Sequence, residues 1–157
     1  MKKEEKTNVM RVLEQKKVPY GSRSYTPDAT MTGVEIAGIL GQDPKHVFKT
    51  LVTRGKTGQY YVFVVPVAED LDLKKAAKAS GEKSIEMIRQ KELLPLTGYL
   101  HGGCSPIGMK KSFPTFIHES AAELDRMFVS AGKVGFQVEL SPQDLIKTVG
   151  CGFADLV

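Results

Sequence analysis

Two runs rich in β-branched and aromatic residues, Val47 to Thr53 and Tyr60 to Pro66, are separated only by Arg54-Gly55-Lys56-Thr57-Gly58-Gln59. That pattern folds as a β-hairpin, because branched side chains suit a pleated backbone and the two glycines permit the reversal. The apolar run from Tyr60 to Val67 stops at Ala68-Glu69, far short of the roughly 20 residues a membrane helix needs, so it reads as a buried strand.

Helical signals alternate with strand signals on both sides of this hairpin. Val9, Met10, Val12 and Leu13 recur at helical spacing behind a capping Thr7, which predicts a helix over 8 to 17 that Pro19 ends. Tyr20 to Thr26 alternates like a short strand and turns at Pro27-Asp28. Thr32 and Glu35 have capping-box spacing, and Gly41 supplies a stop, so a second helix spans about 33 to 40. Asp72 to Ser80 is helical and basic, and a further short helix fits Ser84 to Arg89. Thr115 to Ile117, Met127 to Ser130 and Val134 to Leu140 read as strands, with a helical turn at Ala121 to Asp125. Ser141-Pro142 opens a last helix that Gly150 closes. No linker, repeat or low-complexity stretch divides the 157 residues, so residues 1 to 157 are expected to form one α/β domain with a mixed sheet.

Composition narrows the function class. Hydrophobic and charged fractions of 41% and 25% match soluble globular chains, and Met1 to Lys6 is charged where a secretion signal would be followed by an apolar stretch. A cytoplasmic, membrane-free protein is expected. Two cysteines, Cys104 and Cys151, are too few for a disulfide framework and lack zinc-site spacing. A formal charge of +4 mildly favours a polyanionic partner.

Catalytic signatures are sparse. His46, His101 and His118 are isolated from one another and from any obvious nucleophile, and no phosphate-binding glycine loop of the triphosphate or dinucleotide kind is present. Neither a cofactor nor a metal is expected. The unusual segment is Thr97 to Lys111, where four glycines and Pro106 surround Cys104 and Ser105. Its backbone N–H groups can approach a ligand closely and stabilise an oxyanion, while a plain tight turn explains the same glycines. Cys104 in that loop is a possible nucleophile, although no base lies near it in sequence.

The run GGCSPIGMKK resembles the signature loop of the YbaK/EbsC family of aminoacyl-tRNA deacylases. VFKTLV at 47 to 52, LDLKKAAKA at 71 to 79, PTFI at 114 to 117 and VSAGKVGFQVEL at 129 to 140 resemble its other landmarks in the same order. The resemblance implies a single α/β domain on a mixed, partly barrel-like sheet with surrounding helices. It implies deacylation of mischarged tRNA, with Cys-tRNA(Pro) as the substrate and the substrate's own thiol attacking its ester. Alternatives are a deacylase for another small amino acid, such as Ala-tRNA(Pro), and a module that grips tRNA or a synthetase without cleaving. The implied partners are the acceptor end of aminoacyl-tRNA and prolyl-tRNA synthetase.

Carried over by position, the resemblance assigns Lys49 to the substrate pocket as a catalytic cation, with Thr50 beside it. On the residues alone Lys49 is an ordinary strand lysine, since Val47, Phe48, Leu51 and Val52 explain the strand. Gly102, Gly103 and Ser105 are implied to offer amides to the aminoacyl carbonyl. Tyr25, Cys104, Pro106, Ser130 and Gln137 are implied to contact substrate. The family's pocket aromatic falls here near Met31-Thr32, and an aspartate of some members is Gln137. Lys74, Lys75 and Lys78 on the basic helix, with Lys110 and Lys111 after the loop, are candidates for phosphate contact.

Overall fold

The computed structural model describes residues 6–28 and 30–157; the stretch Met1 to Glu5, within the segment where no secretion signal is expected, lies outside them. Helix α1 spans Asn8–Gln15, with the Thr7 hydroxyl accepting from the Met10 amide at 3.3 Å. Strand β1 (Gly21–Ser24) leads to α2 (Gly33–Ile39), where Thr32 and Glu35 form the expected capping box. The hairpin is β2 (Phe48–Gly55) against β3 (Tyr60–Pro66), in register from Phe48 opposite Pro66 to Arg54 opposite Tyr60.

Asp72 caps α3 (Leu73–Ser80), accepting from the Lys74 and Lys75 amides, and Gly81 ends it with a left-handed φ of 77°. The short helix expected over Ser84 to Arg89 is instead β4 (Ile85–Met87), followed by a helix α4 (Gln90–Thr97) that sequence reading missed. Residues 85 to 87 lie where the end of β2 offers Thr53 to Gly55 as an unfilled edge, and pairing there outweighs weak helical periodicity. The cue for α4 is Glu92, whose carboxylate accepts from the Arg89 amide at 2.8 Å. Pro95 masks it, since proline removes an interior helical hydrogen bond.

Strands β5 (Thr115–His118), β6 (Met127–Ser130) and β7 (Phe136–Leu140) precede α5 (Pro142–Val149), which is capped by Ser141 and closed by Gly150 as expected. A last strand, β8 (Gly152–Ala154), carried no signal of its own and exists by parallel pairing with β5. The mixed sheet is realised as two: an antiparallel sheet β1-β7-β6 and a mixed sheet β4-β2-β3-β5-β8. A parallel bridge between Val47 and Phe128 joins them.

Alternation along β3 separates two cores. Val62 and Val64 face the larger one with Phe48, Val52, Leu93, Cys104, Ile107 and Met127, while Phe63 and Val65 face α3 through Ala76 and Ala77. Each large aliphatic side chain so buried contributes about 1.5–3 kcal/mol of transfer free energy.

The edge of β2 away from β3 positions the site. The Val47 carbonyl accepts from Val67 on the β3 side, and the Val52 carbonyl accepts from Ile88 on the other, so alternate peptides, including that of Thr50, face that other edge. The β6 bridge occupies this edge at Val47, and β4 pairs only from Thr53 to Gly55. Among the described residues no strand pairs with β2 there at Thr50, and the sheet opens.

Candidate functional site

At that opening lies a cavity of about 420 Å³, within the size range of small-molecule sites. Its walls come from α2, the strand residues Phe48 to Leu51, the loop after α4, and the ends of β6 and β7. Of the residues singled out in the sequence, Tyr25, Lys49, Thr50, Gly102, Cys104, Ser130 and Gln137 meet here. Met31 and Thr32 also line it, so this part of the wall is a thioether and a hydroxyl. Sequence reasoning missed Phe48, Ile36, Val67, Leu93, Phe136 and His101. The apolar ones carried only a generic core signal, and His101 looked isolated because its neighbours arrive from distant elements.

The polar groups are held with unequal firmness. Gln137 is 6% exposed, and its side-chain carbonyl accepts from the Gln42 amide at 2.8 Å. The Ser130 hydroxyl accepts from the Gly132 amide at 3.2 Å, and the Tyr25 amide donates to the Gly135 carbonyl at 2.9 Å. By contrast, Thr50 Oγ1 is buried without a hydrogen-bond partner. Such an orphan costs on the order of 1–3 kcal/mol unless a ligand or water satisfies it. Lys49 is half-buried, no ion pair forms to it among the described residues, and no carboxylate lines the cavity. Lys49 and Thr50 are consecutive on β2 and both line the cavity, one without an ion pair among the described residues and the other with an unsatisfied hydroxyl.

The glycine loop is built differently from the expectation. Thr97 Oγ1 donates to the Leu93 carbonyl at 2.7 Å and accepts from the Tyr99 amide at 3.0 Å, while the Tyr99 hydroxyl donates to the Ile107 carbonyl at 2.6 Å. The Gly103 amide donates to the Leu100 carbonyl at 2.9 Å. Gly103 is therefore not a free donor for a substrate carbonyl. A Cβ there would sit 2.9 Å from the Val134 backbone nitrogen, so this glycine exists to admit the turn between β6 and β7. Ser105 is fully buried, its hydroxyl accepts from the Ile107 amide at 3.3 Å, and it does not reach the cavity. Pro106 and Lys111 lie in a separate groove with Lys16 and Phe113. Of the three loop residues expected at the carbonyl, only Gly102 lines the cavity, with a left-handed φ of 86°.

Cys104 is 8% exposed, and burial pushes its thiol up to about 12, with a smaller opposing effect from a hydrogen bond to Thr97. At neutral pH it is a protonated apolar wall, since thiolate forms only as pH approaches that value. Cys104→Ala is expected to leave turnover within about twofold, with a pH-rate profile between pH 6 and 9 that superimposes on the parent's. A profile that loses a limb in the variant would return Cys104 to the role of nucleophile.

The basic residues are dispersed. Helix α3 covers the sheet face turned away from Phe48 and Cys104, and Lys75 is committed to Asp155 at 3.1 Å and to the Val157 carbonyl. Lys74, Lys78, Lys110 and Lys111 are exposed and none of them lines the cavity. His118 accepts from the Leu156 amide through Nδ1 at 3.1 Å, which marks it as part of the packing of the chain's end.

This fold is that of a family. Residues 27–148 match the aminoacyl-tRNA editing domain, and the chain belongs to that family, whose members act on aminoacyl-tRNA. Over 156 residues, 99% of this chain and 95% of the relative, it is 45% identical to EbsC of Enterococcus faecalis, named as a candidate Cys-tRNA(Pro)/Cys-tRNA(Cys) deacylase. The solved structure of a candidate trans-editing enzyme for prolyl tRNA synthetase superimposes with a TM-score of 0.82 at 26% identity, over 95% of this chain and 94% of that one. A second, of the hypothetical protein APE2540, shares the fold with a TM-score of 0.86 at 22% identity, over 95% and 98% of the two chains. The chain is thus an editing hydrolase of aminoacyl esters. Among its described residues no helix is long and apolar enough to cross a membrane.

Proposed function

We propose that this protein deacylates Cys-tRNA(Pro), and that the attacking atom belongs to the substrate. The observation that carries this reading is a cavity with an unpaired cation and an orphan hydroxyl but no activated nucleophile, its one cysteine being buried and neutral. An aminoacyl ester is already activated, so holding its carbonyl against preformed donors is enough for the substrate's thiol to complete the reaction. The cysteinyl sulfur, as thiolate, attacks the ester carbonyl carbon and forms a C–S bond. The C–O bond to the ribose then breaks, the ribose oxygen takes a proton, and the released four-membered thiolactone is opened by water to free cysteine.

In this scheme the Lys49 ammonium favours the thiolate and the developing oxyanion, and Thr50 Oγ1 supplies a hydrogen bond. Gly102 leaves room for the carbonyl beside the loop. Tyr25, Ser130 and the amide of Gln137 shape the remaining wall. With Gln137 in place of a carboxylate, no side-chain anion competes for Lys49. Selection of the tRNA is assigned to prolyl-tRNA synthetase acting with this protein, because a domain of 157 residues is too small to read a whole tRNA. The exposed Lys74, Lys78, Lys110 and Lys111 give phosphate contacts of the sequence-independent kind.

Cys-tRNA(Pro), Ser-tRNA and Ala-tRNA are compared with and without prolyl-tRNA synthetase. Cysteine is expected to be removed at least about tenfold faster than either competitor, the scale of discrimination one specific interaction supplies. Equal rates on serine and alanine would remove the thiol-assisted route. That result would favour hydrolysis by a bound water, for which His101 is the imidazole in the lining.

A further inference from the structure

The cavity continues into a second, more open groove formed by Gln90, Lys91, Leu94 and Leu100, and the two share Leu93 and His101 as a common wall. Leu94 and Leu100 are 49% and 62% exposed, which places two aliphatic side chains at the rim of the cavity. They come from different elements, α4 and the start of the glycine loop, where the Gly103 amide donates to the Leu100 carbonyl, and both line the same groove.

We infer that this groove seats the 3′-terminal nucleoside of the tRNA, its base against Leu94 and Leu100, its ribose at His101 and the preceding phosphate at Lys91. The inference rests on the deacylase reading above and names the part of the substrate that reading leaves unplaced. Covalent geometry supplies the argument. An aminoacyl group is joined directly to the terminal ribose, so a site that encloses the amino acid must open within a few ångströms onto a place for that ribose and its base. The groove adjoins the cavity through the shared Leu93 and His101, as that linkage requires. Its chemistry is complementary as well, with an apolar floor for a base, a cation for a phosphate and no carboxylate in its lining. The nearby Glu92 carboxylate is turned to the Arg89 amide and is not presented to a phosphate.

The probe is the trinucleotide CCA, titrated into isotopically labelled protein while backbone amide shifts are followed. Shifts concentrated at Lys91, Leu94, Leu100 and His101 are expected, and Leu100→Glu, a change at an exposed position, is expected to weaken binding by about tenfold, the scale of losing one base contact. Lys91→Ala provides a second variant that removes the phosphate contact without adding charge to the floor. Amides that stay unmoved in the groove, or shifts confined to Lys74 and Lys78 on α3, overturn the inference and leave the apolar rim as a surface for another protein. The trinucleotide carries no amino acid, so its binding is read without turnover. Protein that binds it in the groove yet leaves Cys-tRNA(Pro) intact would retain this inference and refute the deacylase reading, while active protein with a silent groove would do the reverse.

Discussion

Lys49→Ala is expected to lower kcat/KM on Cys-tRNA(Pro) by about a hundredfold or more, because among the described residues it removes the only lysine or arginine side chain in the cavity lining. Losing one preformed donor from an oxyanion-stabilising site costs roughly 2.7–4 kcal/mol, which sets this scale. The position is half-buried and makes no ion pair among the described residues, so the melting temperature of the variant should stay close to the parent's. The division of the loss between kcat and KM separates two roles. A fall in kcat assigns the ammonium to the reacting thiol and carbonyl, whereas a rise in KM alone assigns it to uniform binding of ribose or phosphate. Lys49→Arg should recover little, since a planar guanidinium does not reproduce a compact point charge. Full activity in Lys49→Ala would remove the electrostatic mechanism, and full activity lost together with the fold would move the lesion to structure.

Gly103→Ala is expected to destabilise the protein by about 1–3 kcal/mol, the usual cost of forcing a methyl group into a filled space. The clash is with backbone: 2.9 Å to Val134 N and 3.1 Å to Lys133 C, neither of which can swing aside as a flexible side chain would. For a chain of this length each kcal/mol lowers the melting temperature by roughly 2–4 °C, so a fall of several degrees is anticipated in a calorimetric scan. Activity should fall with it, because the displaced turn carries Gly135 against Tyr25 and begins at Ser130, both of which line the cavity. Gly102→Ala is the informative companion. Its Cβ would meet Val134 only at 3.5 Å, and its penalty comes from a φ of 86°, of about 1 kcal/mol. A Gly103→Ala protein as stable and active as the parent would show that the two turns do not seat on each other.

Much of the fold was legible from local chemistry. Thr7, the Thr32 and Glu35 box, and the Ser141-Pro142 opening with its Gly150 stop each act within one turn of helix, and each forms. The hairpin was legible because its strands and its turn are contiguous. The failures share one cause. Residues 85 to 87 and 152 to 154 are strands only because a distant strand edge awaits them, and no property of three residues reveals that edge.

The candidate site divides the same way. The family resemblance, spread from Tyr25 to Gln137, named seven residues that the structure brings into one cavity wall, where their own local chemistry marked none of them. The loop GGCSPIGMKK was legible as a landmark but not in its function. Its second glycine makes room for a turn of the protein rather than for a ligand, and its serine is folded inward. Local sequence by itself determined where the helices cap, where the hairpin turns and which residue types a site here can draw on, since those depend on interactions within a few residues. Only the tertiary structure decided that, among the described residues, the edge of β2 away from β3 is left open at Thr50 and Lys49 stands without a counter-anion, and that burial keeps the Cys104 thiol protonated at neutral pH. Pairing, charge compensation and desolvation are set by what other segments bring within a few ångströms.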